Sequence, residues 1–96
     1  MSRKHYDIII KGNVQNIGLT FQAMKTADEL QIFGYAKYLN KNEVKIEAEG
    51  EEKNLEKYLL WCKTVLPETR ISNIVVKTNI YKEFKEFVIV DKVQFQ

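Results

Sequence analysis

Apolar and polar positions along this chain switch between two periods, and the switches mark its elements. Tyr6-Asp7-Ile8-Ile9-Ile10 is β-branched and apolar nearly throughout, which predicts a central strand over 6–11, covered on at least one face. From Leu19 the spacing lengthens. Leu19, Ala23, Ala27 and Leu30 recur at helical intervals while Gln22, Lys25, Asp28 and Glu29 turn toward water, so residues 19–32 form an amphipathic helix with Gly34 as its expected stop.

Residues 35–39 and 43–49 read as two strands joined through Asn40-Lys41-Asn42, a turn of residues that tolerate left-handed backbone. In the second strand Val44, Ile46 and Ala48 alternate with Lys45, Glu47 and Glu49, which predicts one buried face and one charged, wet face. Leu55, Leu59, Cys62 and Leu66 then mark a second helix over 52–65 that Pro67 cannot continue, with Tyr58 and Trp61 packing at the sheet margin. A strand over 72–81, a charged turn at 82–85 and a short strand over 87–90 complete the pattern. The order is β-α-β-β-α-β with an additional C-terminal strand. It predicts an α+β, ferredoxin-like fold: an antiparallel sheet with two helices on one face. That fold hosts many unrelated functions, so chemistry has to come from particular residues.

Composition narrows the field. Ninety-six residues allow one small domain over 1–96, with its core at about 6–90. Fifteen basic and thirteen acidic residues leave a net charge of only +2, interspersed along the chain, and Glu43, Glu47, Glu49, Glu51 and Glu52 crowd one strand and the turn after it. This is no electrostatic footprint for a polyanion, so nucleic-acid binding is not expected. The apolar run Ile8-Ile9-Ile10 is too short for a signal-peptide core or a membrane span, and a cytoplasmic protein is expected. Cys62 is the single cysteine and reads as a small core residue. His5, the single histidine, has no cysteine or carboxylate at metal-ligand spacing in the sequence, so no metal site is expected. Nor does it suit a Ser-His-Asp arrangement.

One segment does carry chemistry. Gly12-Asn13-Val14-Gln15-Asn16-Ile17-Gly18-Leu19-Thr20 couples a strand end to a helix start through a Gly-containing loop, an arrangement whose backbone N–H groups can converge on a phosphate. The segment resembles the phosphate-binding loop of the acylphosphatases, whose usual form reads Gly-x-Val-Gln-Gly-Val-x-Phe-Arg. The resemblance extends from about Tyr6 to Val90. Ala27 and Leu30 match the family's first helix, and Gly34-Tyr35-Ala36-Lys37-Tyr38 stands where the family has Gly-Trp-Val-Arg-Asn. Pro67 with Ile71, Ser72, Asn73 and Ile74 is similar to its Pro-x-Ala-x-Val segment, and Phe87-Val88-Ile89 to its closing strand.

The resemblance implies hydrolysis of the carboxyl-phosphate bond of acyl phosphates without metal or cofactor. By the same resemblance the loop N–H groups and the loop Arg hold the phosphate, and the Asn of the second motif positions the attacking water. Charge on a transferring phosphoryl group calls for preorganised donors, and a guanidinium fork supplies two with a full charge. This sequence departs at both positions: Thr20 stands for the Arg and Tyr38 for the Asn. Loss of a phosphate-clamping group costs on the order of 10³-fold or more, roughly 4 kcal/mol. A phenol places its oxygen several ångströms beyond an Asn amide. Asn16 replaces the second loop Gly as the next most tolerant residue of positive φ, and Leu19 keeps the apolar contact of the usual Phe.

The reading that results is an acylphosphatase-like domain with a retained phosphate-binding loop, Gln15, Asn16, Ile17, Gly18, Leu19 and Thr20, and disabled hydrolysis. It would bind a small anion or a protein partner, with Tyr38 packing toward Thr20 to close part of the pocket. A working acylphosphatase is the alternative, with Lys11 or Lys37 supplying the missing charge, although an ammonium on a flexible stem lacks the bidentate fork. The third reading is an RNA-binding module of the same topology, with Tyr6, Tyr35 and Tyr38 as the stacking platform.

Overall fold

Five strands form one sheet in the order β4-β1-β3-β2-β5, with β1 (Arg3–Gly12), β2 (Phe33–Asn40), β3 (Glu43–Glu51), β4 (Ile71–Asn79) and β5 (Phe87–Val90). Helices α1 (Leu19–Leu30) and α2 (Glu52–Thr64) complete the element order β1-α1-β2-β3-α2-β4-β5 in this computed structural model. It describes residues 2–14, 17–64 and 71–90, so the expectations for Leu66 and Pro67 lie outside the described residues. The central strand β1 pairs antiparallel with both β3 and β4, and β2 pairs antiparallel with β3. This is the ferredoxin-like α+β arrangement that the periodicity predicts.

The helices cover one face of the sheet: α1 packs over β2 and β5 and against α2, and α2 lies over β1 and β3. Ile8 and Ile10 of β1, Ala36 of β2, and Val44, Ile46 and Ala48 of β3 point into that layer and are fully buried. They meet Leu19, Ala23 and Ala27 of α1 and Leu55, Tyr58 and Cys62 of α2. Burial pushes the Cys62 thiol up to about 12, so it is an inert core residue, as its place in the helical stripe predicts. Tyr58, equally buried, keeps its hydroxyl satisfied by donating to the Ala23 carbonyl at 2.9 Å, which ties α2 to α1.

Gly34 does not stop the first helix. Gln31 takes the left-handed conformation (φ 57°) just past Leu30, and the Ile32 N–H reaches the Ala27 carbonyl at 2.8 Å in a Schellman-type cap. The helix therefore ends before Ile32, whose side chain joins the core, rather than running through it. Gly34 has a different task inside β2. A Cβ there would fall 1.8 Å from the Glu47 carbonyl oxygen, so only glycine permits the close pairing of β2 with β3.

The charged segment after β4 is not a local turn. β4 lies at one edge of the sheet and β5 at the other, where it pairs parallel to β2, so residues 80–86 must cross the face opposite the helices. This crossing overturns the expectation of a wet face on β3: Glu47 is 5% exposed and Glu49 fully buried. The crossing chain supplies their partners. Glu49 accepts the backbone N–H of Lys82, and that of Phe84 at 2.7 Å, while the Lys82 ammonium meets Glu47 at 2.8 Å. Alternation assigned these carboxylates to the correct face, and the crossing then covered that face.

Candidate functional site

The loop begins where β1 ends. Gly12 donates its N–H to the Asn42 carbonyl at 2.9 Å, and its own carbonyl receives the Val14 N–H at 3.0 Å, a tight bend that drives the fully buried Val14 into the core. Leu19, also fully buried, anchors the far end. Gly18 between them is left-handed (φ 65°) and caps α1 without a side-chain bond. Gln22 closes the turn by donating its amide to the Ile17 carbonyl at 2.7 Å. Val14 and Leu19 thus anchor the two ends of the loop, of which Gln15 and Asn16 lie outside the described residues.

The first intrahelical bond of α1 runs from the Gln22 N–H to the Gly18 carbonyl, at 2.9 Å. The N–H groups of Leu19, Thr20 and Phe21 precede it and have no partner within the helix, and no acidic side chain occupies the first turn. This end of the helix carries the positive half of the macrodipole and suits a negative group. Thr20, half-buried, is the second residue of the helix and brings no charge to this end of it.

Tyr38 projects from β2 on the core side of the sheet, packed against the buried cluster. Its hydroxyl donates to the Val14 carbonyl at 3.2 Å. Desolvation raises the pKa of this phenol, and the Leu19 backbone N–H, which donates to the same oxygen, draws it partly back. The phenol therefore spans the loop from its strand end to its helix end. It takes up one of the helix-start donors instead of leaving that donor to a ligand.

The two lysines suggested as replacement cations point elsewhere. Lys11 faces its cross-strand neighbour Glu43, with Nζ 3.6 Å from the carboxylate. Lys37 stands one residue from Tyr38 and so on the opposite face of β2, where its ammonium lies 5.8 Å from the centroid of the Tyr35 ring. The same alternation separates the tyrosines: Tyr6 and Tyr38 pack on the core side, and Tyr35 faces the crossing segment, its ring edge-on to Phe84. They form no common stacking platform.

The sequence model of the acylphosphatase family matches residues 6–89. The chain belongs to the acylphosphatase family. It is 33% identical to the acylphosphatase of Caldanaerobacter subterraneus over 91% of this chain and 98% of that protein. The crystal structure of the acylphosphatase from Bacillus subtilis superposes with a TM-score of 0.82 at 29% identity, covering 93% of this chain and 99% of that one. The family's domain also occurs inside larger proteins. Full-length HypF, in its phosphate- and nucleotide-bound form, matches 98% of this chain with 13% of its own length at 31% identity, with a TM-score of 0.83.

Sequence spacing missed a second constellation altogether. His5 and Asp7 share the face of β1 opposite the helices, and the β1–β3 pairing sets His5 beside Glu49 and Asp7 beside Glu47. The expectation that no carboxylate stands at ligand spacing from His5 therefore fails in space: His5, Asp7 and Glu47 bring one potential ligand atom each within 4.8 Å of one another. The available signal was the i, i+2 spacing of His5 and Asp7 combined with the register of two strands distant in sequence. Burial would raise the Glu47 pKa, but hydrogen bonds from Lys82 and Tyr35 and the charges of Lys82 and Lys45 more than offset it, holding it at about 2.

Proposed function

We propose that this acylphosphatase-family protein retains the phosphate-loop scaffold and has lost most or all acyl-phosphate hydrolysis, keeping a weak anion-binding cradle in which Thr20 and Tyr38 stand for the catalytic Arg and Asn. The observation that carries this reading is the Tyr38 hydroxyl, bonded to the Val14 carbonyl and engaged by the Leu19 N–H. A residue whose only polar atom is committed to the loop backbone cannot also orient a water for attack on phosphorus. The commitments of Lys11 to Glu43 and of Lys37 to the far face support the same reading, because neither supplies the missing guanidinium charge.

What remains is a helix start whose Thr20 and Phe21 N–H groups have no partner within the helix, with a left-handed glycine at its cap and no acidic side chain in its first turn. Such a terminus favours an anion by roughly 0.3–1 kcal/mol, enough for weak binding of phosphate or the phosphoryl end of an acyl phosphate. The family membership favours a second reading, an active acylphosphatase with a rewired site. Steady-state hydrolysis of acetyl phosphate separates the two. Turnover at the level of an ordinary acylphosphatase, such as that of Bacillus subtilis, contradicts the proposal. Turnover at least about 10³-fold lower supports it.

A further inference from the structure

We propose that His5, Asp7 and Glu47 form a binding site for one divalent transition-metal ion, of the zinc type, on the sheet face opposite the helices. Two carboxylates and an imidazole from strands β1 and β3 converge there. His5 Nε2 lies 3.0 Å from Asp7 Oδ1 and 3.1 Å from Glu47 Oε1. Ligand atoms bound at about 2.1 Å stand about 3.0 Å apart at a right angle and about 3.4 Å apart in a tetrahedron, so these separations leave room for a shared ion with little movement.

The polarity of His5 calls for a cation at this point. Its side chain is fully buried, and Nδ1 is 2.7 Å from Glu49 Oε2. A carboxylate can only accept, so Nδ1 carries a proton, and Nε2 faces two further carboxylate oxygens. A proton or a metal ion must stand between them. One imidazole and two carboxylates balance the charge of a divalent ion, and the nitrogen ligand selects transition metals over magnesium or calcium.

A second ring of contacts holds each ligand by its other atom. Glu49 fixes His5 through Nδ1. Asn79 donates to Asp7 Oδ2 at 2.8 Å, and the Tyr35 hydroxyl donates to Glu47 at 2.5 Å, at the carboxylate oxygen not facing His5. All three ligands are thus held by one atom with the other turned inward, as outer-shell partners hold them in metal centres. The Lys82 ammonium, 2.8 Å from Glu47 Oε1, is the cation now at that oxygen; its side chain is 43% exposed and free to withdraw into water. Of the three ligands Asp7 is the one open to solvent, its side chain 23% exposed. The site lies away from the loop between β1 and α1 and is independent of any hydrolysis there.

Zinc titrated into the tag-free chain, followed by calorimetry and by the ring nitrogen resonances of its only histidine, tests the site. Saturable binding of one ion per chain is expected, with Nε2 the coordinated nitrogen and no response to magnesium. Affinity should fall at least about tenfold in both His5→Gln and Asp7→Asn. Asp7→Asn keeps the side-chain shape, so a folding failure of His5→Gln leaves the test intact. Cys62, buried with its thiol pushed up to about 12, is no rival ligand. His5 resonances unmoved by excess zinc, or zinc affinity unchanged in Asp7→Asn, would overturn the proposal.

Discussion

The Tyr38 hydroxyl donates to the Val14 carbonyl across 3.2 Å, bridging the middle of the sheet to the start of the loop between β1 and α1. The same oxygen accepts the Leu19 N–H, so one phenol closes the arch at both ends. Removing the hydroxyl has opposite effects on stability and on anion binding. Tyr38→Phe should cost about 1 kcal/mol of unfolding free energy by denaturant titration, the value of a part-buried hydrogen bond. It should also tighten phosphate binding several-fold in an amide-resonance titration, because the Leu19 N–H is released to the ligand. Weaker phosphate binding in Tyr38→Phe would mean that the phenol itself contacts the anion.

Gln31 offers a stabilising change that touches no ligand. It holds φ 57° at the end of α1, where a left-handed L-residue costs about 1 kcal/mol and glycine costs little. Gln31→Gly should therefore raise stability by about 0.5–1 kcal/mol and the melting temperature by a few degrees. Thermal unfolding of the two proteins measures it.

Gly34 carries the reverse expectation. With a Cβ 1.8 Å from the Glu47 carbonyl oxygen and φ at 146°, Gly34→Ala has to push β2 off β3. A loss of more than about 3 kcal/mol is expected, enough to leave much of the chain unfolded at room temperature. Circular dichroism of the purified variant is sufficient to see it.

Glu47 links stability to acid. Its folded pKa of about 2 lies below the ordinary 4.5, so the folded state binds this proton less readily than the unfolded chain does. The stabilisation is complete above pH 4.5 and is lost as pH falls from there toward 2. Its size is about 2–3 kcal/mol at neutral pH, allowing for screening of the exposed Lys82 partner. Glu47→Gln should lower neutral-pH stability and flatten the decline between pH 5 and 2. An unchanged acid slope in that variant would assign the proton uptake to other carboxylates.

Much of the fold was legible because local period and core placement agree. Ile8 and Ile10, Leu19 and Ala27, and Val44 and Ile46 all bury the face that their spacing predicts. The helix end was misread at Gly34 because a glycine near a helix terminus signals a cap, whereas here Gln31 accepts the strained conformation and the glycine serves strand pairing. The crossing by residues 80–86 was not legible. Nothing in a charged stretch distinguishes a local turn from a chain passing over a sheet, and Glu47 and Glu49 became buried through that passage alone. In the loop, the apolar contact expected of Leu19 is present, while nothing in the pattern marked Val14 as its buried counterpart. That Lys37 lies behind the sheet from Tyr38 follows from alternation, and the family resemblance drew attention away from it.

Steady-state hydrolysis of acetyl phosphate by the unmodified chain and by the double variant Thr20→Arg, Tyr38→Asn tests the central claim most directly. The guanidinium restores a charged fork beside the helix-start donors, and the amide replaces a phenol bound to the loop backbone. The account predicts turnover near background for the unmodified chain and a gain of about 10³-fold or more in the double variant. Turnover in the unmodified chain equal to that of an ordinary acylphosphatase, with no gain on restoring the two residues, would contradict it.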